Sequence, residues 1–179
     1  MTTLDEVYLD AEPLPASEIA PGLWMGGTRR DETIGVVQPM LGYSPDRDYD
    51  AILTLYAWAA PARWGVEERR FGFPDRQVIE EYVPVIHDLA DWAHSRWSAG
   101  HRVLIRCQGG MNRSGLLVAL TLVRAGHTPE GAIELIREKR HPWALNNQSF
   151  VRLITQSRAG ARDQRDSGAG RRPAHVAPL

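Results

Sequence analysis

The sequence has little cysteine, little net charge and no long apolar run, and each shortage excludes a class of protein. The single cysteine, Cys107, excludes an internal disulfide and a metal site built from several cysteines. A formal net charge of −1 creates no overall field that would attract nucleic acid or an acidic membrane. No apolar run approaches the roughly 18 residues that a membrane helix needs. The first residues carry acids where a signal peptide needs bases, so we expect a cytoplasmic protein.

The remaining composition is that of one globular domain with polar extensions. A chain of 179 residues with 43% hydrophobic residues is sufficient for one core. Residues 1–17 are acidic and contain two prolines, so we predict an N-terminal arm there. Residues 157–179 are rich in Arg, Gly, Ala and Pro and have almost nothing to bury, which predicts a disordered tail. Residues 18–156 form the predicted domain.

Strand and helix patterns alternate along this domain. Apolar runs predict strands at 22–27, 49–58, 66–73 and 101–106. Helical periodicity predicts helices at 82–99, with Pro84 in its first turn, and at 114–126, 128–139 and 147–156. This order predicts an α/β fold, in which helices flank a central, mostly parallel sheet.

The cysteine lies at a junction between a predicted strand and a predicted helix. Cys107 ends a buried strand, and an apolar helix begins at Arg113 or Ser114. In open α/β sheets, ligands bind at the carboxyl ends of strands, where a helix N-terminus supplies free N–H groups and partial positive charge. Adjacent glycines allow backbone amides to turn inward around an anion. The predicted phosphate-binding loop between strand and helix consists of Gln108, Gly109, Gly110, Met111 and Asn112.

The same groups favour a nucleophilic role for Cys107. A lone cysteine is usually an inert core residue, but helix N-termini and cationic neighbours stabilise the reactive thiolate form. Arg113 carries a planar guanidinium that holds two phosphate oxygens at once. Ser114 is placed to donate a hydrogen bond to the sulfur. The sequence therefore predicts catalytic roles for Cys107, Arg113 and Ser114.

The pattern C-x5-R-S after a hydrophobic strand resembles the signature of the cysteine-dependent protein tyrosine phosphatases, and the compact length resembles their dual-specificity branch. The stretch EIAPGLWMGG (18–27) is similar to that branch's opening strand, and REKRHPWALNNQSF (137–150) resembles the stretch before its last helix. FPD (73–75) lies upstream of the cysteine, as the general-acid loop of the family does. The likeness covers residues 18–156.

The resemblance implies a phosphatase acting on phosphotyrosine in proteins, with phosphoserine and phosphothreonine left open. It implies a cysteinyl-phosphate intermediate, no metal or other cofactor, and Asp75 as general acid. Asn147 and Gln148 are candidate helpers in hydrolysis of the intermediate, although Asn at a helix start is commonly a cap. One position departs from the family, because Arg106 replaces the usual histidine before the cysteine. Neighbours along a strand point to opposite faces, so Arg106 need not contact the phosphate.

Four other functions remain open. Asn112 before the arginine resembles RNA 5′-triphosphatases, although no basic track for RNA is evident. Phosphoinositide phosphatases carry lysines in the loop, and residues 108–112 contain none. A non-catalytic phosphate-binding module would not need Cys107, Arg113 and Asp75 together, and a sulfurtransferase would leave Asp75 unexplained.

Two other groups of side chains have weaker functional interpretations. His87, Asp91 and His94 have a spacing that permits metal binding on one helix face, but a solvated polar face is the favoured interpretation. The tryptophans in predicted loops border the site or cover the edge of the core; they are Trp58, Trp64 and Trp143.

Overall fold

A computed structural model describes residues 16–28, 48–78 and 80–166, with side chains described as far as residue 157. The elements are β1 (Ser17–Ala20), β2 (Leu23–Gly27), β3 (Ala51–Thr54), β4 (Glu67–Arg70), α1 (Tyr82–Ser98), β5 (Val103–Cys107), α2 (Arg113–Arg124), α3 (Pro129–Lys139) and α4 (Gln148–Asp166). Nearly all of the predicted N-terminal arm, and residues 167–179 of the predicted tail, lie outside the described residues. The predicted domain boundaries therefore stay predictions.

The sheet confirms the predicted α/β class. Its five strands lie in the order β1-β2-β5-β3-β4. All neighbouring pairs are parallel except β1 and β2, which are antiparallel. The central strand β5 lies between β2 and β3, and in this register Gly27 is opposite Cys107 and Thr54 is opposite Arg106. The carboxyl ends of three strands therefore meet beside the cysteine.

The two faces of the sheet are covered unequally. Alternate residues of β5, namely Val103, Ile105 and Cys107, belong to the main core, which also contains the buried residues of the helices. Leu104 faces the other side and packs in a small cluster with Tyr49 and Ile52. Because successive side chains of a strand point to opposite faces, Cys107 lies on the helical side and Arg106 on the other.

Helix α2 is the central helix of the fold. Every residue from Arg113 to Leu122 is buried, as its nearly continuous apolar sequence predicts. It contacts the other three helices and strands β2 and β5. The N-terminus of α2, which follows the phosphate-binding loop, is consequently held by the largest core of the protein.

Several element boundaries were predicted correctly and several were not. Helix α1 begins at Tyr82, and Thr128 caps α3 by accepting a hydrogen bond from the N–H of Gly131 at 3.0 Å. The predicted strand 49–58 is a strand only over Ala51–Thr54, because a turn begins at residue 57. Strand β1 was not predicted, because four residues alone carry too little pattern.

The last helix is longer than predicted. We expected an end near residue 156, whereas α4 continues to Asp166. Few apolar residues follow residue 156, and the end was expected there for that reason. A helix that is already nucleated by packing extends at small cost through Ala and Arg, which recur in residues 157–166. Within the described residues, no helix is long and apolar enough to cross a membrane.

Candidate active site

The structure places Cys107 as the last residue of β5 and Arg113 as the first residue of α2, as the sequence predicts. Cys107 is buried, and its Sγ accepts a hydrogen bond from the N–H of Gly110 at 3.2 Å. Its Sγ also lies 3.4 Å from the hydroxyl oxygen of the buried Ser114. A backbone amide and a hydroxyl are therefore both in reach of the sulfur, where each can stabilise negative charge.

The first part of the phosphate-binding loop is attached to the residue after β2. Thr28 donates from its hydroxyl to the carbonyl oxygen of Cys107 at 2.9 Å, and from its backbone N–H to the carbonyl oxygen of Gln108 at 3.0 Å. Both carbonyl groups are thus directed toward β2.

The second part of the loop is attached to the segments that follow α3. The carbonyl oxygen of Gly110 accepts from Nε of Arg140 at 2.9 Å, and that of Met111 accepts from the N–H of Leu145 at 3.3 Å. Arg140 is itself buried and also donates to Ser17 Oγ at 3.2 Å. Burial lowers the pKa of Arg140, while the electrostatic interaction with Cys107 acts in the opposite direction.

These four carbonyl contacts determine where the loop amides point. In a trans peptide the C=O of one residue and the N–H of the next point in opposite directions. The N–H groups of residues 108, 109, 111 and 112 are therefore directed away from the scaffold that holds the carbonyls. Those of 108, 109 and 111 have no hydrogen-bond partner among the described residues. The loop thus presents backbone donors that suit an anion, next to the sulfur.

Arg113 combines anchored and unpaired donors. Its Nη1 donates to the carbonyl oxygens of Leu55 at 3.3 Å and Phe73 at 3.0 Å, and its Nη2 donates to Gln108 Oε1 at 3.4 Å. The ring of Tyr56 lies 5.8 Å from the guanidinium carbon. Nε of Arg113 is buried and has no hydrogen-bond partner within the described residues. An unpaired buried donor is costly, so this atom is poised to hold a ligand oxygen.

The structure brings Asp75 to the same site. Its exposed carboxylate accepts from Asn112 Nδ2 at 3.0 Å and from Asn147 Nδ2 at 2.9 Å. The predicted acid loop thereby contacts the phosphate-binding loop. Gln148 is not brought in, because its Nε2 donates to the neighbouring carbonyl oxygen of Asn146 at 3.4 Å.

Arg106 points to the opposite face of the sheet, as the strand alternation predicts. Its buried side chain donates to Thr54 Oγ1 at 3.0 Å and to the carbonyl oxygen of Ala60 at 2.7 Å, and it pairs with Glu68 at 3.4 Å. Burial raises the pKa of Glu68, but hydrogen bonds from Thr54 and Ala62 and the charges of two arginines outweigh it, so the pKa is lowered. The arginine in place of the family's histidine is thus a structural element beneath the sheet.

The polar side chains of α1 that were singled out from the sequence bond to other groups. Asp91 pairs with Arg124, which also lies 3.3 Å from His87 Nδ1, and His94 lies 3.2 Å from Ser98 Oγ. Among the described residues, no group of three His, Cys, Asp or Glu side chains is arranged to hold a metal ion. The three tryptophans are exposed; they are Trp58, Trp64 and Trp143.

Sequence reasoning from the residues did not identify Arg140 as part of the site. It contacts the loop only because the fold brings the end of α3 beneath Gly110. The one available signal was its position in the stretch 137–150, which resembles a family motif.

Several curated proteins are similar to part of this chain. PRL-1 phosphatase of Drosophila melanogaster is 37% identical over 68 residues, which are 38% of this chain and 36% of the fly protein. Protein tyrosine phosphatase type IVA 3 of Homo sapiens is 31% identical over 80 residues, which are 45% of this chain and 43% of the human protein. The chain thus aligns with less than half the length of these relatives. No family model matches it.

Solved structures extend the likeness over most of the chain. Human DUSP28 has a TM-score of 0.69 at 18% identity and covers 85% of this chain and 99% of its own, which shows the fold. Tk-PTP in its active form has a TM-score of 0.61 at 25% identity and covers 79% of this chain and 94% of its own. The chain is thus similar over part of its length to protein tyrosine phosphatases, and its fold is that of the dual-specificity phosphatases.

Proposed function

We propose that this protein hydrolyses phosphotyrosine in protein substrates through a cysteinyl-phosphate intermediate. One observation carries the proposal: the buried Sγ of Cys107 accepts from the N–H of Gly110 at 3.2 Å, within a loop whose carbonyl groups are bound to the scaffold. This arrangement suits a nucleophile beside a tetrahedral dianion. The unpaired Nε of Arg113 supplies a further donor for a phosphate oxygen.

In the first step, the thiolate of Cys107 attacks phosphorus and the bond to the leaving oxygen breaks. The amides of residues 108–112 and the guanidinium of Arg113 hold the three equatorial oxygens. Asp75 gives its proton to the leaving phenolate oxygen. A positioned acid contributes roughly 10²–10⁴-fold to such a step.

In the second step, water attacks phosphorus and the sulfur–phosphorus bond breaks. Asp75, now a carboxylate, takes a proton from the attacking water. Ser114 Oγ lies 3.4 Å from the sulfur and donates a hydrogen bond to the departing thiolate. Inorganic phosphate leaves and Cys107 is regenerated, so no co-reactant other than water is required.

The names of several relatives support a protein substrate, since they are called protein tyrosine phosphatases. The feature that favoured RNA 5′-triphosphate chemistry, Asn112 before the arginine, has another explanation here. The Asn112 side chain bonds Asp75 and the backbone of Asn147. Phosphoserine and phosphothreonine substrates are included as a weaker activity of the same site.

The test is hydrolysis of an aryl phosphate by the purified chain with a chelator present. We expect Cys107→Ser to abolish turnover while tungstate, a phosphate mimic, still binds. We expect Asp75→Asn to slow release of a poor leaving group far more than release of p-nitrophenol. Asp88→Asn, which changes an exposed aspartate on α1, is the matched control and leaves both rates unchanged.

Substrate class is tested with a phosphotyrosine peptide, a phosphothreonine peptide and a triphosphorylated RNA at equal concentration. The phosphotyrosine peptide is expected to have the highest kcat/KM. Turnover that survives Cys107→Ser overturns the mechanism. Faster release of phosphate from RNA than from either peptide overturns the substrate assignment and leaves the cysteine mechanism in place.

A further inference from the structure

The proposed acid is held by two asparagine side chains that the two-step chemistry does not by itself require. Asn112 Nδ2 donates to one oxygen of the Asp75 carboxylate at 3.0 Å, and Asn147 Nδ2 donates to the other at 2.9 Å. We call Asp75, Asn112 and Asn147 the carboxamide clamp. Each carboxylate oxygen thus has its own donor from a different segment of the chain.

Each carboxamide has its orientation set by the contact at its oxygen. Asn112 Oδ1 accepts from the backbone N–H of Asn147 at 3.2 Å, and Asn147 Oδ1 accepts from the N–H of Ser149 at 3.0 Å. A half-turn of either carboxamide would place its oxygen against the carboxylate and its NH2 against a backbone N–H donor. Both NH2 groups therefore face Asp75.

The clamp joins the acid loop to the phosphate-binding loop. Asn112 is the N-cap of α2 and precedes Arg113 directly, so its side chain moves with the phosphate-binding machinery. Asn147 also donates to the carbonyl oxygen of Arg76 at 3.2 Å, and the N–H of Val78 donates to Ser149 Oγ at 3.1 Å. The acid loop is consequently attached on both sides of Asp75.

We propose that Asn112 is a positioning residue that holds Asp75 against the phosphate-binding loop during proton transfer. The inference rests on the proposed function, in which Asp75 is the acid. An ionised carboxylate offers about four lone-pair sites, and the two clamp contacts leave others for the leaving oxygen or the attacking water. Asn112 is the better probe, because Asn147 also supports the start of α4.

The experiment is a double-mutant cycle read with two leaving groups. Asn112→Ala, Asp75→Asn and the double variant are assayed on p-nitrophenyl phosphate and on phenyl phosphate, and tungstate binding and thermal unfolding are measured for each. We expect Asn112→Ala to lower kcat for phenyl phosphate about tenfold, a part of the general-acid contribution. The rate on p-nitrophenyl phosphate and the affinity for tungstate are expected to fall by a smaller factor, since neither depends on proton transfer to a poor leaving group.

Two further variants sharpen the test. Asn112→Asp keeps an oxygen that accepts from the N–H of Asn147 but opposes the carboxylate of Asp75, so its loss on phenyl phosphate is expected to exceed that of Asn112→Ala. Asn146→Ala is the matched control: this exposed asparagine has no side-chain hydrogen bond within the described residues, and both rates are expected to be unchanged.

The outcomes separate the two proposals. If Asn112 acts through Asp75, Asn112→Ala adds no further loss in the Asp75→Asn background. An equal loss on both substrates, or a full additional loss in that background, shows a general effect on the loop and overturns the positioning role. If Asp75→Asn itself spares phenyl phosphate, the acid assignment fails and the positioning role fails with it.

Discussion

A substitution of Gly110 provides the sharpest test of the loop geometry. The φ of this glycine is +66°, and a Cβ built on it would lie 2.4 Å from the backbone nitrogen of Gly27 and 2.5 Å from the carbonyl carbon of Gly26. Both are backbone atoms of β2, which cannot rotate away. Gly109, its neighbour, has no atom within 4 Å of the same position. The two adjacent glycines thus differ sharply in what a methyl group would meet.

The expected cost of Gly110→Ala follows from these contacts. A left-handed conformation costs an L-residue about 1–2 kcal/mol, and overpacking adds about 1–3 kcal/mol. Ordinary van der Waals contact begins at 3.4 Å, so loop and strand must separate by about 1 Å to accommodate the methyl group. A displacement of this size at a reacting centre costs roughly 10²-fold in rate. We expect a loss of about 2–5 kcal/mol in the free energy of unfolding.

The assay is urea unfolding together with kcat/KM on p-nitrophenyl phosphate and tungstate affinity. Gly109→Ala is the control and is expected to resemble the wild type in stability. Gly110→Asn separates the two causes, since asparagine tolerates a positive φ but carries the same Cβ. It is expected to be nearly as damaging as alanine. Wild-type stability and activity in Gly110→Ala, or full recovery in Gly110→Asn, would refute the overlap with β2.

Three further predictions concern stability. Arg106→Met leaves the partly buried carboxylate of Glu68 without its buried cation, so urea unfolding should show a loss of about 3 kcal/mol; a loss below about 1 kcal/mol would contradict the role of this pair. Thr128→Ala removes the cap of α3 and should cost about 1 kcal/mol by the same measurement, and an unchanged midpoint would show that the cap is unimportant. Burial, then the charge of Arg124, lowers the pKa of His87 below its ordinary value of 6.5. The folded state therefore binds fewer protons than the unfolded state, and this contribution to stability is full above pH 6.5 and is lost as the pH falls below it. His87→Asn should reduce the loss of stability between about pH 7.5 and about pH 5.5; an unchanged loss would contradict the assignment.

The sequence predicted the features that depend on neighbouring residues. The start of α1 and the Thr128 cap of α3 follow from residues within one turn of each helix start. The junction of β5 and α2 follows from a change of pattern across residues 103–124. The end of α4 was missed, because helix propagation depends on the packing of the first part of the helix rather than on the composition of the last part.

The residues of the candidate site also fall into those that neighbouring residues predict and those that they do not. Cys107, Arg113 and Ser114 are adjacent in the chain to the loop that they serve, so their types and spacing were sufficient to predict their placement. Asp75 was found through a resemblance, since Pro-Asp alone is a common turn pair. Its contact with Asn112 joins residues that are 37 positions apart and could not be predicted from local pattern.

By itself, the sequence determined that a cysteine and an arginine flank a glycine-containing loop between a strand and a helix, because these are local features of 13 residues, 103–115. Only the tertiary structure decided what the loop presents. Thr28, Arg140 and Leu145 come from distant segments, and their donors bind the loop carbonyls and so turn the N–H groups of the following residues away from the scaffold. The physical reason is that a peptide group can be oriented only by partners on both of its sides, and the chain supplies those partners only when it is folded.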